Sequence, residues 1–570
     1  MPRRGEIENF AILFIVALIL VADLFFRPGR PVTFDGPTHI TNIAQFAAGL
    51  QTGGFPVAWA DHFTALGSPV PIVTQQLTSY LGALFYFVTH DLIQSYNWVV
   101  FVGALSSSWL MYIFLREWAK PWAALMGAIL FSLAPYRIIN IYIRGALPEF
   151  FVSTWIILTA LGLVWWKKGR QKESLLAIVF GVAGIFLTHP MMIIPTSILL
   201  APLTIWAIWP LSTVLKRLNA LLPLAFAALL GVGISGYYIF PLFLEVKYFY
   251  YGQSTSHFNE GQYLGVRNIL QPMWHYFTMI DIGPRGQYFH LGAIEVLTIL
   301  FAIVFLIWQF WQKKKLQMNS LLATVLMSFV FIFLMVPASD FLYRHVSFFN
   351  NVQHPWRMFT GFIFLPPFIF TLILSEIKIP TRFYILIGAI CISLIGLARF
   401  PQLYGKNSLS YNNQYYWAPS VNLHGNNLNT IWSGNEKDYV DAVLPARIVE
   451  GEGKIELSEE KNGFRQFQVE AKTPLRIVNS LFYFPGWRVY ADGQKTPIEF
   501  QDMNYRGLIT YRVPEGTETV TLKFEDTAIR FVGKLVSGAS LVVFVFWVTL
   551  GHKFLGRAMS FDKARPAKKR

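Results

Sequence analysis

The chain has 570 residues, of which 54% are hydrophobic and only 14% charged, against about 25% charged in a typical soluble protein. That balance excludes a soluble globule of this length and fits a polytopic α-helical membrane protein. The net charge of +15 would suit nucleic acid, but the cations follow a membrane-topology pattern, which excludes nucleic acid as a partner.

In chain order, Arg3-Arg4 precede an apolar run at 9–26. The segment Val21–Phe26 offers no small-residue cleavage site, so this run is expected to remain as a signal anchor. Residues 27–94 then form a long first outer loop. Within it, Ile40–Leu50 has amphipathic helical spacing, stopped by Gly49, Gly53, Gly54 and Pro56. Gln76–Val88 is apolar enough to lie on, or dip into, the outer leaflet.

Further runs of bilayer length fall at 95–115, 121–138, 150–166, 174–189, 191–209, 219–240, 289–311, 319–337, 357–375, 381–397 and 532–552. Together with the first they make about twelve transmembrane helices. A second outer loop, 241–288, is rich in Tyr, His and Gly. A short third one, 338–356, leads into the next span through Gln353-His354-Pro355-Trp356-Arg357.

Residues 398–531 are polar, mixed in charge and strand-like. Arg465–Ala471 and Thr519–Phe524 alternate, and Asp492-Gly493 and Pro514-Glu515-Gly516 supply turns. The expected organisation is a transmembrane core (1–397), an extracytoplasmic β-sandwich-like domain (398–531), a last span (532–552) and a basic tail (553–570).

Alternate connections carry the basic residues: Arg116 and Lys120, Lys167-Lys168 with Arg170 and Lys172, Lys216-Arg217, Lys313-Lys314-Lys315, Lys378 with Arg382, and the tail. The positive-inside rule puts these and both termini in the cytoplasm. The loops bearing Asp35 and Glu149, and the β-domain, then lie outside. Cys391 is the only cysteine, so no internal disulfide can form and the outer domain must hold by packing.

Ionisable residues where bilayer meets water are costly and read as functional. Asp35, in Phe34-Asp35-Gly36-Pro37-Thr38-His39, is placed to take a proton from an incoming hydroxyl. It equally suits a helix N-cap. His39, one turn later, would share the proton, bind phosphate or complete a metal site. Arg137 and Arg144 are seven residues apart, on one helical face. They would face an anion while Glu149 orients an acceptor or a cation; Arg144 and Glu149 would equally form a structural ion pair. His189, His354 and Arg357 complete the candidate binding set, with Lys247, His257 and Arg267 as weaker members. His189 equally reads as an interfacial residue, and Trp356 as part of an aromatic belt. Hard oxygen ligands such as Asp35 and Glu149 would suit Mg²⁺ or Mn²⁺. No HExxH, CxxC, DxD or phosphate-loop pattern is present.

Several of these stretches resemble known membrane proteins. Asp35 and His39, followed by Gly53-Gly54-Phe55-Pro56-Val57-Ala58-Trp59 and Gly67-Ser68-Pro69, are similar to proteins labelled 6-pyruvoyl-tetrahydropterin-synthase-related. So are Tyr136-Arg137, Tyr142-Ile143-Arg144-Gly145, Glu149 and Gln353–Arg357. The stretch Tyr483-Phe484-Pro485-Gly486-Trp487 through Asp492-Gly493 resembles the outer domain of YfhO-like proteins. Both groups look like GT-C fold glycosyltransferases. The resemblance implies a polyprenyl-phosphate-linked sugar donor, Asp35 as first-loop catalytic carboxylate and Glu149 as a second acidic position. Arg144, Arg357 or His189 would then stabilise the departing phosphate, and the product would go to a cell-surface glycan, lipid or protein at the outer face of a prokaryotic cytoplasmic membrane. The chain departs from the pattern in one respect: Asp35 is followed by Gly-Pro, not by a second acid. Trp487, Tyr490 and Tyr505 would stack on sugar rings, or be core aromatics of the sandwich. The competing classes are a transporter or flippase of lipid-linked glycans and a non-catalytic envelope assembly protein.

Overall fold

The computed structural model describes residues 4–29, 32–61, 66–253, 262–265, 289–312, 318–377, 384–400, 403, 405, 413–417, 429–433 and 444–558. The expectations for Arg3, His257, Arg267, Lys313-Lys314-Lys315, Lys378 and Arg382 fall outside these residues. So do most of 254–288, much of 398–443 and the end of the basic tail.

The helices are α1 (Arg4–Phe26), α2 (Gly36–Gln51), α3 (Gln76–Thr89), α4 (Leu92–Arg116), α5 (Pro121–Ser132), α6 (Pro135–Tyr142), α7 (Leu147–Lys167), α8 (Gln171–Thr188), α9 (Ile193–Ile208) and α10 (Val214–Ile234). They continue as α11 (Gly236–Leu244), α12 (Ala293–Trp311), α13 (Met318–Met335), α14 (Asp340–His345), α15 (Phe359–Phe362), α16 (Leu365–Glu376), α17 (Tyr384–Arg399), α18 (Asn413–Trp417) and α19 (Ala528–Ala558).

Among the described residues, ten segments are long and apolar enough to cross a bilayer. An eleventh arises if Asn319–Met335 and Pro337–His345, bent by 83° at their break, count as one. The expected run 381–397 appears as the short helix α17. The chain is therefore a multi-pass helical membrane protein, and each expected span has a helical counterpart. The one at 121–138 differs in extent. Ala134 is extended ahead of Pro135, as a residue before proline prefers, and α6 then carries the span on to Arg144. This places Arg137 deep inside the bundle rather than at the edge of the span.

The first outer loop folds back as α2 and α3. Twelve of the residues of α2 are buried, and Asn42 and Gln45 on that helix donate to Thr74 Oγ1 at 2.8 Å and to the Trp417 carbonyl at 3.1 Å. These two donors fix the helix against the bundle rather than in water.

The β-domain has, among the described residues, eight strands: β1 (Ala446–Glu450), β2 (Gly453–Lys461), β3 (Phe464–Ala471), β4 (Leu475–Phe482), β5 (Trp487–Ala491), β6 (Gln494–Thr496), β7 (Leu508–Val513) and β8 (Thr519–Phe524). They pair antiparallel into a three-stranded sheet, β1-β4-β7, and a five-stranded one, β2-β3-β8-β5-β6. The expected alternation is present: Phe467, Val469 and Ala471 of β3 and Val520 and Leu522 of β8 point into the core. At Asp492-Gly493 both residues have positive φ, 45° and 80°, as a two-residue hairpin turn requires.

This core does not close on itself. Trp59 and Ile72 from the first outer loop and Phe249 from the second belong to the same buried cluster as Phe467, Ile477, Trp487 and Tyr511. Trp59 packs edge-on against Trp487 at 5.1 Å and lies 4.9 Å from Phe524. Gly67, at φ 70°, lets the chain pass where a side chain would strike the Trp59 indole. Nearby, Asp61 accepts from the Gly463 amide at 2.9 Å, while Asn462 Nδ2 donates to the Trp59 carbonyl at 2.8 Å. At the membrane end, Arg530 of α19 pairs with the fully buried Glu245 at 2.9 Å and donates to the Pro485 carbonyl at 2.6 Å.

Trp59→Ala is expected to cost about 3–5 kcal/mol, the usual loss for a buried aromatic, read as faster proteolysis between 398 and 531 in the intact protein. Burial holds the Asp61 carboxyl up at about 6, opposed by Arg465 and the Gly463 amide. With the folded value above the unfolded one, this docking contact is most stable at low pH and weakens as pH rises from about 4 to about 6. Asp61→Asn should flatten that dependence and raise the thermal midpoint above pH 6.

Candidate active site

Glu149 stands in the first turn of α7, with 1% of its side chain exposed. Its Oε2 lies 2.8 Å from Arg144 Nη1, and its Oε1 accepts from the Tyr136 hydroxyl and, at 3.3 Å, from Thr360. Arg144 also donates to Asn140 Oδ1 at 2.8 Å and lies 4.4 Å over the Trp356 ring. A fully enclosed carboxylate survives only with such donors. Three spans build the whole group: Tyr136, Asn140 and Arg144 come from α6 and its end, Glu149 from α7, and Trp356, Arg357 and Thr360 from the start of the Pro355–Glu376 span.

Asp35 joins this group from the first outer loop. Its backbone N–H donates to the Arg144 carbonyl at 2.7 Å, and that of Phe34 to the Ile143 carbonyl at 3.3 Å. Gly145, at φ 65°, is what allows the approach: a Cβ there would stand 2.4 Å from Thr33 Oγ1 and 2.7 Å from the Gly36 nitrogen. The Asp35 carboxylate lies 3.8 Å from Arg144 Nη2, and 47% of the side chain remains exposed. Asp35 does occupy the N-cap position of α2, yet its side chain accepts no cap hydrogen bond. The carboxylate is therefore not committed to the helix amides. Burial raises its pKa above the ordinary carboxylate value, opposed by Arg144 and Arg357.

Arg357 is the least satisfied member. Its Nη1 reaches only Met191 Sδ at 3.5 Å, its Nε has no hydrogen-bond partner among the described residues, and Glu149 lies 3.9 Å away. A guanidinium 11% exposed with spare donors is a strong anion attractor. His189 is buried beside this group, with Nδ1 unpaired. His354 stacks on Trp356 at 4.9 Å. Burial, with Arg357 and Arg144 nearby, drives the His354 imidazole down to about 3, so it is neutral at physiological pH.

The remaining candidate residues have other surroundings. Arg137 does not join the cluster. It lies 1% exposed in the bundle between the Phe131 and Phe150 rings, at 4.4 and 4.5 Å, and donates to Ser107 and Ser153, both at 2.8 Å. The continuation of the span through α6 carries it about 10 Å deeper than Arg144 at 1.5 Å per residue. His39 is buried on α2, its backbone N–H donating to the Asp35 carbonyl at 3.1 Å. Trp356 is an internal platform, 6% exposed and stacked on Phe289 at 4.4 Å, rather than belt material. Trp487 is fully buried in the sandwich core and presents no face to a sugar, while the Tyr490 hydroxyl donates to Glu525. Tyr136, part of a family-like stretch but given no role there, joins Asn140 and Thr360 as site residues that the sequence did not single out. Tyr136 and Asn140 stood one helical turn apart on the segment before Arg144; nothing local marks Thr360.

The donor set does not fit a divalent cation. Arg144 sits between the two acids, Glu149 is occupied by Tyr136, Arg144 and Thr360, and no group of three or more His, Cys, Asp or Glu converges among the described residues.

A polytopic helical bundle with a β-domain before its last span and an enclosed acid–guanidinium cluster is the class defined so far. No family model and no curated protein matches the sequence. Among solved structures, the oligosaccharyltransferase of Archaeoglobus fulgidus in its apo form is 13% identical over 75% of this chain and 61% of that one, with a TM-score of 0.40. The same protein in complex with zinc and sulfate is 14% identical over 73% and 58%, with a TM-score of 0.32. The chain thus spans about three fifths of that protein's length.

Removing Glu149 strands Arg144. Glu149→Gln is expected to cost about 3–5 kcal/mol, the price of breaking a buried pair, whereas the double variant Glu149→Gln with Arg144→Met should recover part of the loss. The measurement is the thermal midpoint of both proteins in detergent.

Proposed function

We propose that this chain is a GT-C-type membrane glycosyltransferase that moves a sugar from a polyprenyl-phosphate donor to a glycan, lipid or protein acceptor. What supports this most is the pairing of a half-open, uncommitted carboxylate, Asp35, with an enclosed guanidinium short of acceptors, Arg357. Asp35 takes the proton of the acceptor hydroxyl. The acceptor oxygen forms its bond to the anomeric carbon as the bond from that carbon to the phosphate oxygen breaks. The electron pair leaves with the phosphate, whose charge Arg357 and the edge of Arg144 that faces Asp35 receive. Displacement in one step inverts the anomeric centre.

In this reading Glu149 is a positioning residue. Its oxygens face protein donors, so it holds Arg144 and Arg357 in place rather than touching substrate. No step passes through a metal ion. With the basic connections in the cytoplasm, the reaction faces outward at the inner membrane, and the outer domain, docked on the loop that carries Asp35, frames the acceptor side.

The test is transfer from radiolabelled polyprenyl-phosphate sugars in reconstituted membranes. Asp35→Asn should lower the rate by about 10²–10⁴, the range for losing a general base, with an unchanged thermal midpoint. Wild-type activity should rise with pH through a value above the ordinary carboxylate range. Full activity in Asp35→Asn would overturn the reading.

A further inference from the structure

We propose a second lipid site, for an acyl chain of an anionic phospholipid from the leaflet on the basic side of the protein. Between α4, α7, α9, α13 and α16 lies a cavity of about 320 Å³, the size of a single-ligand pocket. Ala160, Leu199, Leu203, Met327 and Phe368 give it an apolar wall. All five stand on membrane-spanning helices, so the surrounding medium is hydrocarbon and the available occupant is a lipid chain.

The position separates this cavity from the acid–guanidinium cluster. Its residues Ile156 and Ala160 come 7 and 11 places after Glu149 on α7, about 10–16 Å further along the helix. Its polar members, Asn319 and Ser320, are in the first turn of α13. Trp118 and Trp206, which also line it, lie just past the end of α4 and near the end of α9, with rings 4.8 Å apart. The pocket therefore runs from mid-bundle to the ends of the spans where Arg116 and Lys167 stand, away from Arg357.

The charge at that end selects the headgroup. Lys167 donates to the Trp206 carbonyl at 2.8 Å and lies 4.7 Å over the Trp206 ring, and no carboxylate meets it among the described residues. Lys168 and Arg170 share one carboxylate, Glu117, at 2.8 and 3.2 Å. The collar beside the pocket mouth keeps a net positive charge, which an anionic headgroup complements while its chain enters the apolar wall.

The site is tested on the full chain in nanodiscs containing phosphatidylglycerol with a diazirine on its acyl chain. Illumination should label peptides within 199–206 and 319–327. Ala160→Trp, or Ala323→Trp if the first variant does not fold, should abolish that labelling. Lys167→Gln should lower it about fivefold, the worth of one basic residue beside anionic lipid, and zwitterionic phosphatidylcholine should label correspondingly less. Labelling confined to other segments, labelling undiminished in folded variants, equal labelling by both headgroups, or competition by polyprenyl phosphate alone would each overturn the proposal. The readout is lipid contact, so the outcome of the Asp35→Asn transfer assay leaves it untouched.

Discussion

An ionised carboxylate enclosed among apolar helices must be met by donors or it will not stay ionised. Glu149 is met by three side chains from two neighbouring segments: Tyr136, Arg144 and Thr360. Its demand therefore fixes more than its own rotamer. It draws the end of α6 against the start of α7 and draws the Pro355–Glu376 span in beside both. Once Arg144 is held, its carbonyl and its outer guanidinium edge receive the Asp35 loop, and Gly145 gives that loop room. The geometry around Asp35 thus depends on a residue that does not face solvent at all.

The β-domain is tied to the same loop by a different kind of force. Trp59 contributes its whole indole to the sandwich core, and the hydrogen bonds around Asp61 and Asn462 orient it there. Arg530 and Glu245 couple the Pro485–Trp487 turn to α19 and the end of α11. Apolar burial gives this docking its strength, whereas the polar contacts give it direction. The loop that carries Asp35 and the indole that docks the β-domain, Trp59, are thus parts of one continuous piece of chain.

Charge is sorted along the bundle. Arg144, Arg357, Glu149 and Asp35 gather at one end of their spans, and Lys167, Lys168 and Arg170 at the other. Arg137 is the exception, and its surroundings explain why it is tolerated: two aromatic faces and hydroxyl acceptors replace the counter-ion that the bundle does not supply.

The spans, the antiparallel strands around Arg465–Ala471 and Thr519–Phe524, and the hairpin at Asp492-Gly493 were legible because each rests on a local period or a turn residue. The candidate acids and Arg357 were legible because a charge at a bilayer edge is conspicuous in any apolar sequence. Seven-residue spacing suggested one face for Arg137 and Arg144, but Pro135 and Gly145 set where that helix starts and stops, and these put the two arginines in different surroundings. In a linear chain Trp356 fits an aromatic belt, and Trp487 fits a sugar platform or a sandwich core; packing shows that one is a platform under Arg144 and the other a core residue. The sequence by itself determined which segments enter the membrane and which residues carry charge there, since hydropathy and ionisation are properties of single residues and short windows. Which of those charges meet, and which remain short of a partner, was decided by the tertiary structure, because contacts across two hundred residues of chain, such as Glu149 with Thr360, leave no local trace.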